Sequence, residues 1–535
     1  MLRVRRAVVL SIAALLCAGL APASDLAAAI ATPARSAPDP SFRAPGQVVR
    51  HAPSRPLSTL AIDPQGLQVA KQRAAAAAEG LEQATEVTSA PVAGLGRDGQ
   101  RDSRVTPSDS TGAIGPDRYI QTVNLRFGIY DRSGTVISQG NLSTLAGIPD
   151  DPTLGPCLSD PQVIWDQQDQ RFYYSVLDVC ANALAIGFSR TATPADGSRG
   201  SWCKYEGFHY GFSLPDYPKL GDSGDLLLIG VNVFVFGLLY QGSDVNWIDK
   251  ASLAAPAGQC PDPGAFHAGS ITGLKTAAGD DASTPVPANG IDGSSTAYVV
   301  AAPDAATAPP DAITLFDIAK NATGGVSATR RTIPVPQWSV PAPAPQKRAT
   351  KTIDTNDGRF TMSVAAVDPS LTGSPLAVWT THAAFGGAGS EQRWYELDTS
   401  TGAVARSGVA TSPSLYVYNG AVSPDRAVST AGGSFGDAMV MGFTTSSSKT
   451  FPAIRMVSRI GSDPQSGFVL VVISPGKNVD GSCSPTCRWG DYAGASPDPV
   501  ATGGHGQVWL TNMYNRKSLT PSDVDWKTRI WQATP

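Results

Sequence analysis

Three stretches set the architecture of this chain: SDPQVIWDQQDQRFYYSVLD from Ser159, PDYPKLGDSGDLLLIGVNVF from Pro215, and CRWGDYAGASPDPVATGGHGQVWLTN from Cys487. Each carries an Asp beside Pro or Tyr, then a short apolar strand, a polar turn and a returning aromatic or aliphatic strand. A unit of this size that recurs along a chain builds an array of similar sheets. Elsewhere in the chain, YIQTVNLRFGIYDRSGTVI, AITLFDIAKNATGGV and QRWYELDTSTGAVARSG share the form of strand, Gly-containing turn and returning strand. Seven such units centre on residues 112–145, 157–207, 216–257, 290–335, 352–402, 413–457 and 487–533. Their length suits four-stranded blades, so the expected fold is an all-β propeller of seven four-stranded blades. The last strand, WKTRIWQAT, would leave an open edge unless an N-terminal strand, expected near Val105, pairs with it.

The rest of the chain fits this reading. The 54 Gly and 43 Pro among 535 residues, with charged residues at 16%, favour tight turns over helices. The apolar run Leu226–Tyr240 is too short to span a bilayer and contains Asn232, so it reads as buried strand. Residues 1–23 have the form of an export signal. Arg3, Arg5 and Arg6 precede an apolar stretch, and Ala21-Pro22-Ala23 offers a cleavage site. Residues 24–100 form an Ala/Pro-rich leader with a marginal helix over 65–83, and 101–535 form the propeller. A secreted, periplasmic or cell-surface location is expected, with no membrane span after signal cleavage.

Six cysteines remain beyond the signal, and an even number in an exported chain points to disulfides. Cys483 with Cys487 and Cys157 with Cys180 are the expected pairs; the remaining pairing is open. No block of basic residues occurs, which argues against a nucleic-acid partner. Only six acids are Glu against 39 Asp, a bias toward turn capping and hard-cation loops.

The segments SDSTGAIGPDRYIQTVN, SDPQVIWDQQDQRFYYS, DYPKLG, WYELDTSTG and RWGDYAGASPDP resemble a group of largely uncharacterised secreted bacterial β-propellers, loosely sialidase-like. The resemblance covers about residues 105–533 and implies the fold far more than any reaction.

Chemistry is harder to read. Gly221-Asp222-Ser223-Gly224 imitates a serine-protease loop, but no matching His segment lies upstream, so a hairpin turn is expected. Sialidase chemistry needs a Tyr–Glu pair, and Tyr205-Glu206 and Tyr395-Glu396 are adjacent in strands, where neighbours face opposite ways. The site candidates are the acids that open the repeats, Asp160, Asp216 and Asp491. Equivalent placement would crowd them near the axis, calling for calcium, a basic partner or raised pKa values. Lys219 and Arg488 are the basic partners at hand. Turn capping is the commoner use of such aspartates. The expected function is an extracellular binding module for glycan or protein ligands, with a sialidase-like glycoside hydrolase using channel carboxylates as the alternative.

Overall fold

A computed structural model describes residues 36–53, 60–83, 95–256, 259–428, 435–484, 486–500, 504–517 and 526–535. The chain divides into two compact units, Met1–Ala37 and Pro38–Pro535. The expected export signal, residues 1–23, lies outside the described residues. Among the described residues, the sheets all lie in the second unit.

The protein is a β-propeller built from four-stranded antiparallel sheets. Among the described residues the strand order gives seven meanders, over 111–141, 158–207, 213–271, 283–334, 360–410, 416–473 and 494–533. The first strand of each meander touches the first strand of the next, and the seventh returns to touch the first. The fourth and fifth meanders are joined more tightly, by parallel pairing of Ala288–Gly290 with Ser363–Ala365.

The strand Leu226–Val235 shows how the sequence produces this arrangement. It is buried along its whole length, because its sheet is sandwiched between two others. Leu227, Ile229, Val231 and Val233 pack with the second sheet's Leu184, Ile186 and Phe188. The alternate side chains, Leu226 and Leu228, pack with Val299, Ala301 and Phe316 of the fourth. Side chains of period two thus feed two cores, each fully buried Leu or Val contributing roughly 1.5–3 kcal/mol. An unbroken apolar run is therefore a blade strand here.

Gly230 falls on the fourth-sheet face, where backbone approaches backbone. A Cβ at this position would lie 2.0 Å from the Pro285 carbonyl oxygen. We expect Gly230→Ala to destabilise the fold by about 2 kcal/mol, because two strands must part to admit it. Chemical denaturation would measure this, and an unchanged midpoint would show that the sheets yield freely.

Closure uses a different strand from the one expected. Gly96–Asp98 pairs antiparallel with Arg529–Trp531 and completes the seventh sheet. Val105 serves instead as a buried wall, its carbonyl accepting a 2.8 Å hydrogen bond from Trp526 Nε1. The closing strand, Gly-Arg-Asp, has no apolar residue to announce it. Its Asp98 is held by Lys527 at 3.0 Å and Arg529 at 3.4 Å.

An Asp follows or ends the first strand of every sheet: Asp117, Asp166, Asp222, Asp292, Asp368, Asp425 and Asp498. Asp117 is exposed. Five of the others tie their sheet to the next. Lys250 of the third sheet bridges Asp166 (2.5 Å) and Asp222 (2.7 Å). Asp222 also accepts the Gly290 amide at 2.8 Å, Asp292 the Val367 amide at 2.8 Å, and Asp425 the Gly506 amide at 2.9 Å. Asp498 pairs with Arg132 of the first sheet. Asp368 stays within its own sheet, 2.5 Å from Arg406.

Arg406 also holds Glu396 at 2.9 Å, so this buried group has two acids and one base. Burial, reinforced by Asp368, pushes the Glu396 carboxyl up to about 9. The folded protein therefore keeps a proton that the unfolded chain gives up near the ordinary Glu value. The stabilisation is complete below that value and is lost as pH rises through about 9. We expect stability to fall by roughly 3–4 kcal/mol between pH 6 and 9 from this site, since Asp368, whose pKa is lowered, holds no proton in either state over that range and adds no slope. Glu396→Gln, which keeps a donor toward Asp368, should flatten that slope in melting curves. Parallel curves for variant and wild type would rule the proton out.

Three disulfides are present. Cys157–Cys180 and Cys483–Cys487 match the expected pairs, and Cys203–Cys260 is the third. No described helix is long and apolar enough to cross a membrane.

Candidate functional site

One end of the ring is shaped by a repeated irregularity in the first strands. The ladder shifts register between Ser159 and Gln162, Asp216 and Lys219, Ser283 and Val286, Phe360 and Met362, and Tyr418 and Ala421. At these places Asp160, Tyr217, Thr284 and Asn419 take φ of +50° to +56°, and Asp109, just before the first sheet, takes +45°. Asp and Asn tolerate this left-handed backbone, whereas Tyr217 and Thr284 adopt it at a cost. Asparagines on neighbouring strands pin the bulges. Asn124 donates to Asp109 at 2.7 Å and accepts the Asp160 amide at 3.0 Å. Asn232 accepts the Thr284 amide at 2.8 Å, and Asn512 accepts from Asn419 at 2.9 Å.

The bulges bring the acids of several sheets into one buried cluster. Asp160 accepts hydrogen bonds from Ser159 and, at 3.0 Å, from Tyr492 Oη. The Asp491 amide donates to Asp109 at 2.8 Å, its carbonyl accepts from Tyr217 Oη at 2.7 Å, and its carboxylate pairs with Arg488. Asp216 accepts the Leu60 amide at 2.6 Å. Lys219 Nζ sits between the rings of Tyr217 and Tyr492, 3.8 and 3.6 Å from their centroids, with no hydrogen-bond partner among the described residues. Arg359, paired with Asp357, lies 4.8 Å from the Tyr217 ring centroid.

Burial, with the charges of Asp491 and Asp160, holds the Asp109 carboxyl well above its usual range. Burial likewise drives the Lys219 ammonium well below its ordinary value, although Asp160 and Asp491 act against it. The cluster therefore stores one acid inclined to keep its proton beside one base inclined to release its own.

Asp160, Asp491, Lys219 and Arg488 are thus brought into one cluster, with Asp216 beside them on the strand that bears Lys219. The carboxylates of Asp160, Asp216 and Asp491 do not meet at one point. Among the described residues one group has ligand atoms close enough for a metal, Cys157, Asp178 and Cys180, and its cysteines form a disulfide. Asp109, Arg359, Tyr217 and Tyr492 were not singled out in the sequence. For Asp109, Tyr217 and Tyr492 the signal is a shared dipeptide: Ser108-Asp109 repeats in Ser159-Asp160, and Asp216-Tyr217 in Asp491-Tyr492.

Leader residues cross this end of the ring. Asp39 and Arg43 bridge His209 and Glu206 at the edge of the second sheet, with Phe42 packed 5.1 Å from Phe208 and from Phe266. Arg50 pairs with Asp178 at 2.9 Å and with Glu206. Leu60 reaches Asp216, and the helix Pro64–Ala78 comes next, capped by Asp63. Ala74 and Ala78 are small enough to sit in a buried cluster with Tyr416, Tyr418 and Trp489. Gln83 closes the crossing with a 2.8 Å bond to the Pro413 carbonyl.

The channel behind the cluster encloses a cavity of about 40 Å³, lined by first strands and including Gln162, Lys219, Asn289 and Ser363. That is room for a few waters. The other tempting motifs resolve into structure. Asp222 clamps neighbouring sheets, and Ser223 accepts the Asp225 and Leu226 amides at 3.2 and 3.1 Å as a turn. Glu206 and Glu396 are tied to Arg50 and Arg406 on outer strands.

No family model matches the chain, and no curated protein matches it in sequence. Solved structures do resemble it. The Dos1 propeller matches at 12% identity over 83% of this chain and 95% of its own, with a TM-score of 0.38. An exo-β-1,3-galactanase from Clostridium thermocellum matches at 10% identity over 80% and 93%, with a TM-score of 0.30. A subtype N10 neuraminidase-like protein of A/little yellow-shouldered bat/Guatemala matches at 9% identity over 71% and 100%, with a TM-score of 0.34.

Proposed function

We propose that the protein is an extracellular binding module that meets a glycan on the rim of the propeller. The observation that carries this reading is an exposed aromatic patch on the third sheet. Phe212 is 78% exposed, Phe236 48% and Leu238 71%, and the two rings lie 6.0 Å apart. Both phenylalanines flank the strand ends beyond Asp216, and the Phe236 amide is fixed to the Phe212 carbonyl at 2.9 Å. A rigid pair of exposed rings gives sugar faces an apolar surface to stack on.

Hydrolysis has less support. Glycoside cleavage needs two carboxylates about 5–9.5 Å apart in an open pocket. The axial acids are instead buried and engaged, with Leu60 laid over Asp216. Export fits the form of residues 1–23 together with three disulfides.

A glycan array probed with the mature chain tests the proposal, in calcium and in chelator. Binding that drops at least about tenfold in Phe212→Ala/Phe236→Ala is the expected result. Binding lost only in chelator would move the site to the aspartates. Binding to no glycan in either condition would overturn the glycan reading in favour of a protein ligand. Sugar release from a bound glycan would replace binding with hydrolysis.

A further inference from the structure

We infer that the axial cluster is a recognition site for the backbone of an extended peptide, which the chain fills with its own residue Leu60. This goes beyond the glycan reading, naming a second ligand class at a second place. Two groups treat Leu60 as any residue would be treated. Asp216 accepts its amide at 2.6 Å, and Arg359 Nη2 donates to its carbonyl at 3.3 Å. The two hydrogen bonds grip one residue's main chain from opposite sides, in the way an extended segment is held on a rigid scaffold.

The grip is incomplete. Arg359 Nη1, on a side chain 7% exposed, lacks a hydrogen-bond partner among the described residues. Burying unmet donors costs free energy that a better ligand recovers. Ile62, two residues on, lines a small cavity with Arg359, Thr284 and Asp304, and offers no side-chain acceptor. A peptide carrying an acceptor side chain at that place satisfies what Ile62 leaves open. The ligand class is therefore an extended peptide with a polar acceptor two residues after the gripped one.

The remaining contacts of the crossing are side-chain specific. Lys71 Nζ donates to Thr355 Oγ1 at 2.8 Å and to the Asn356 carbonyl, and Leu67 and Ala70 pack against the fourth and fifth sheets. These seat the chain's own segment in place, so that a competing peptide must displace it.

The test uses the full chain with a protease cleavage sequence in place of residues 86–91, cut after folding. A labelled synthetic peptide of residues 58–83 is then titrated onto the cut protein after dialysis. The expected result is loss of the cut segment with the ring still unfolding cooperatively, followed by saturable rebinding. Asp216→Asn and Arg359→Gln should each weaken rebinding about tenfold. An Ile62→Gln peptide should bind more tightly than wild type, and the gain should vanish in Arg359→Gln. If one ring variant fails to fold, the other decides. The proposal falls if the segment cannot leave without unfolding the ring, or if rebinding ignores both substitutions. Glycan binding at Phe212 and Phe236, measured on the uncut chain, reports separately on the rim.

Discussion

Lys250→Ala is expected to destabilise the protein by about 3–5 kcal/mol at neutral pH, the cost of stripping the counter-charge from buried acids. Lys250 comes directly after the third strand of its sheet, and its ammonium, 4% exposed, lies 2.5 Å from Asp166 and 2.7 Å from Asp222. Burial alone would lower its pKa, but the two carboxylates outweigh burial and push it up to about 12. Asp166 responds in the opposite sense, raised to about 7 by burial and then by the charge of Asp222. Without Lys250, Asp166 must take up a proton to remain buried. The loss should therefore be largest above pH 7 and smaller at pH 5. Adding Asp166→Asn to Lys250→Ala should restore part of the stability. Denaturant titrations at the two pH values check this, and a loss independent of pH would mean that packing of the lysine stem, not its charge, matters.

Removing the Cys203–Cys260 bridge, by Cys203→Ala with Cys260→Ala, should cost about 4 kcal/mol, the chain entropy of closing a loop of this length. The bridge spans 57 positions and ties the last strand of the second sheet to a loop beyond the third sheet's third strand. It is the longest of the three loops, against separations of 23 and 4 for the others. Cys157→Ala with Cys180→Ala should cost less, about 3 kcal/mol, for the shorter loop. Thermal unfolding of the two double variants gives the ranking. Equal losses would indicate that the local surroundings of each bridge outweigh loop length.

The sheets were legible because strand, turn and returning strand leave a period-two pattern that the burial on both faces enforces. The closing strand was not, because Gly96–Asp98 is a glycine and two charged residues whose pairing is decided by the far end of the chain. Two disulfides could be placed from short spacings; the third joins residues that only the ring brings together. At the site, Asp160, Asp491, Lys219 and Arg488 could be gathered from repeated motifs. Arg359 could not, since its contact with Tyr217 depends on two sheets meeting at the axis. The crossing of the leader was hidden for a similar reason. The last turns of its helix, Ala74–Ala78, are alanines too small to advertise a packing face, yet small size is what lets Ala74 and Ala78 lie against Tyr416, Tyr418 and Trp489. Seven aspartates at equivalent strand ends were in plain view. They read singly as turn residues because the inter-sheet partners that five of them have lie far away in sequence.

The closing pair of Gly96–Asp98 with Arg529–Trp531 also sets the order of events at birth. A chain made from its N-terminus has this short strand almost at once, but its partner is separated from it by more than four hundred residues of synthesis. Until those last residues emerge, the first sheet has no seventh sheet to lean on and the growing array is an open arc with two unfinished flanks. Such arcs are slow to complete and prone to capture by other chains. A protein sent across a membrane before it folds would meet this problem outside the cell, where the arc can close only once its C-terminus has arrived. Loss of a few C-terminal residues should therefore be felt first at the N-terminal sheet, and the yield of folded protein should drop more steeply than the stability of the molecules that do mature.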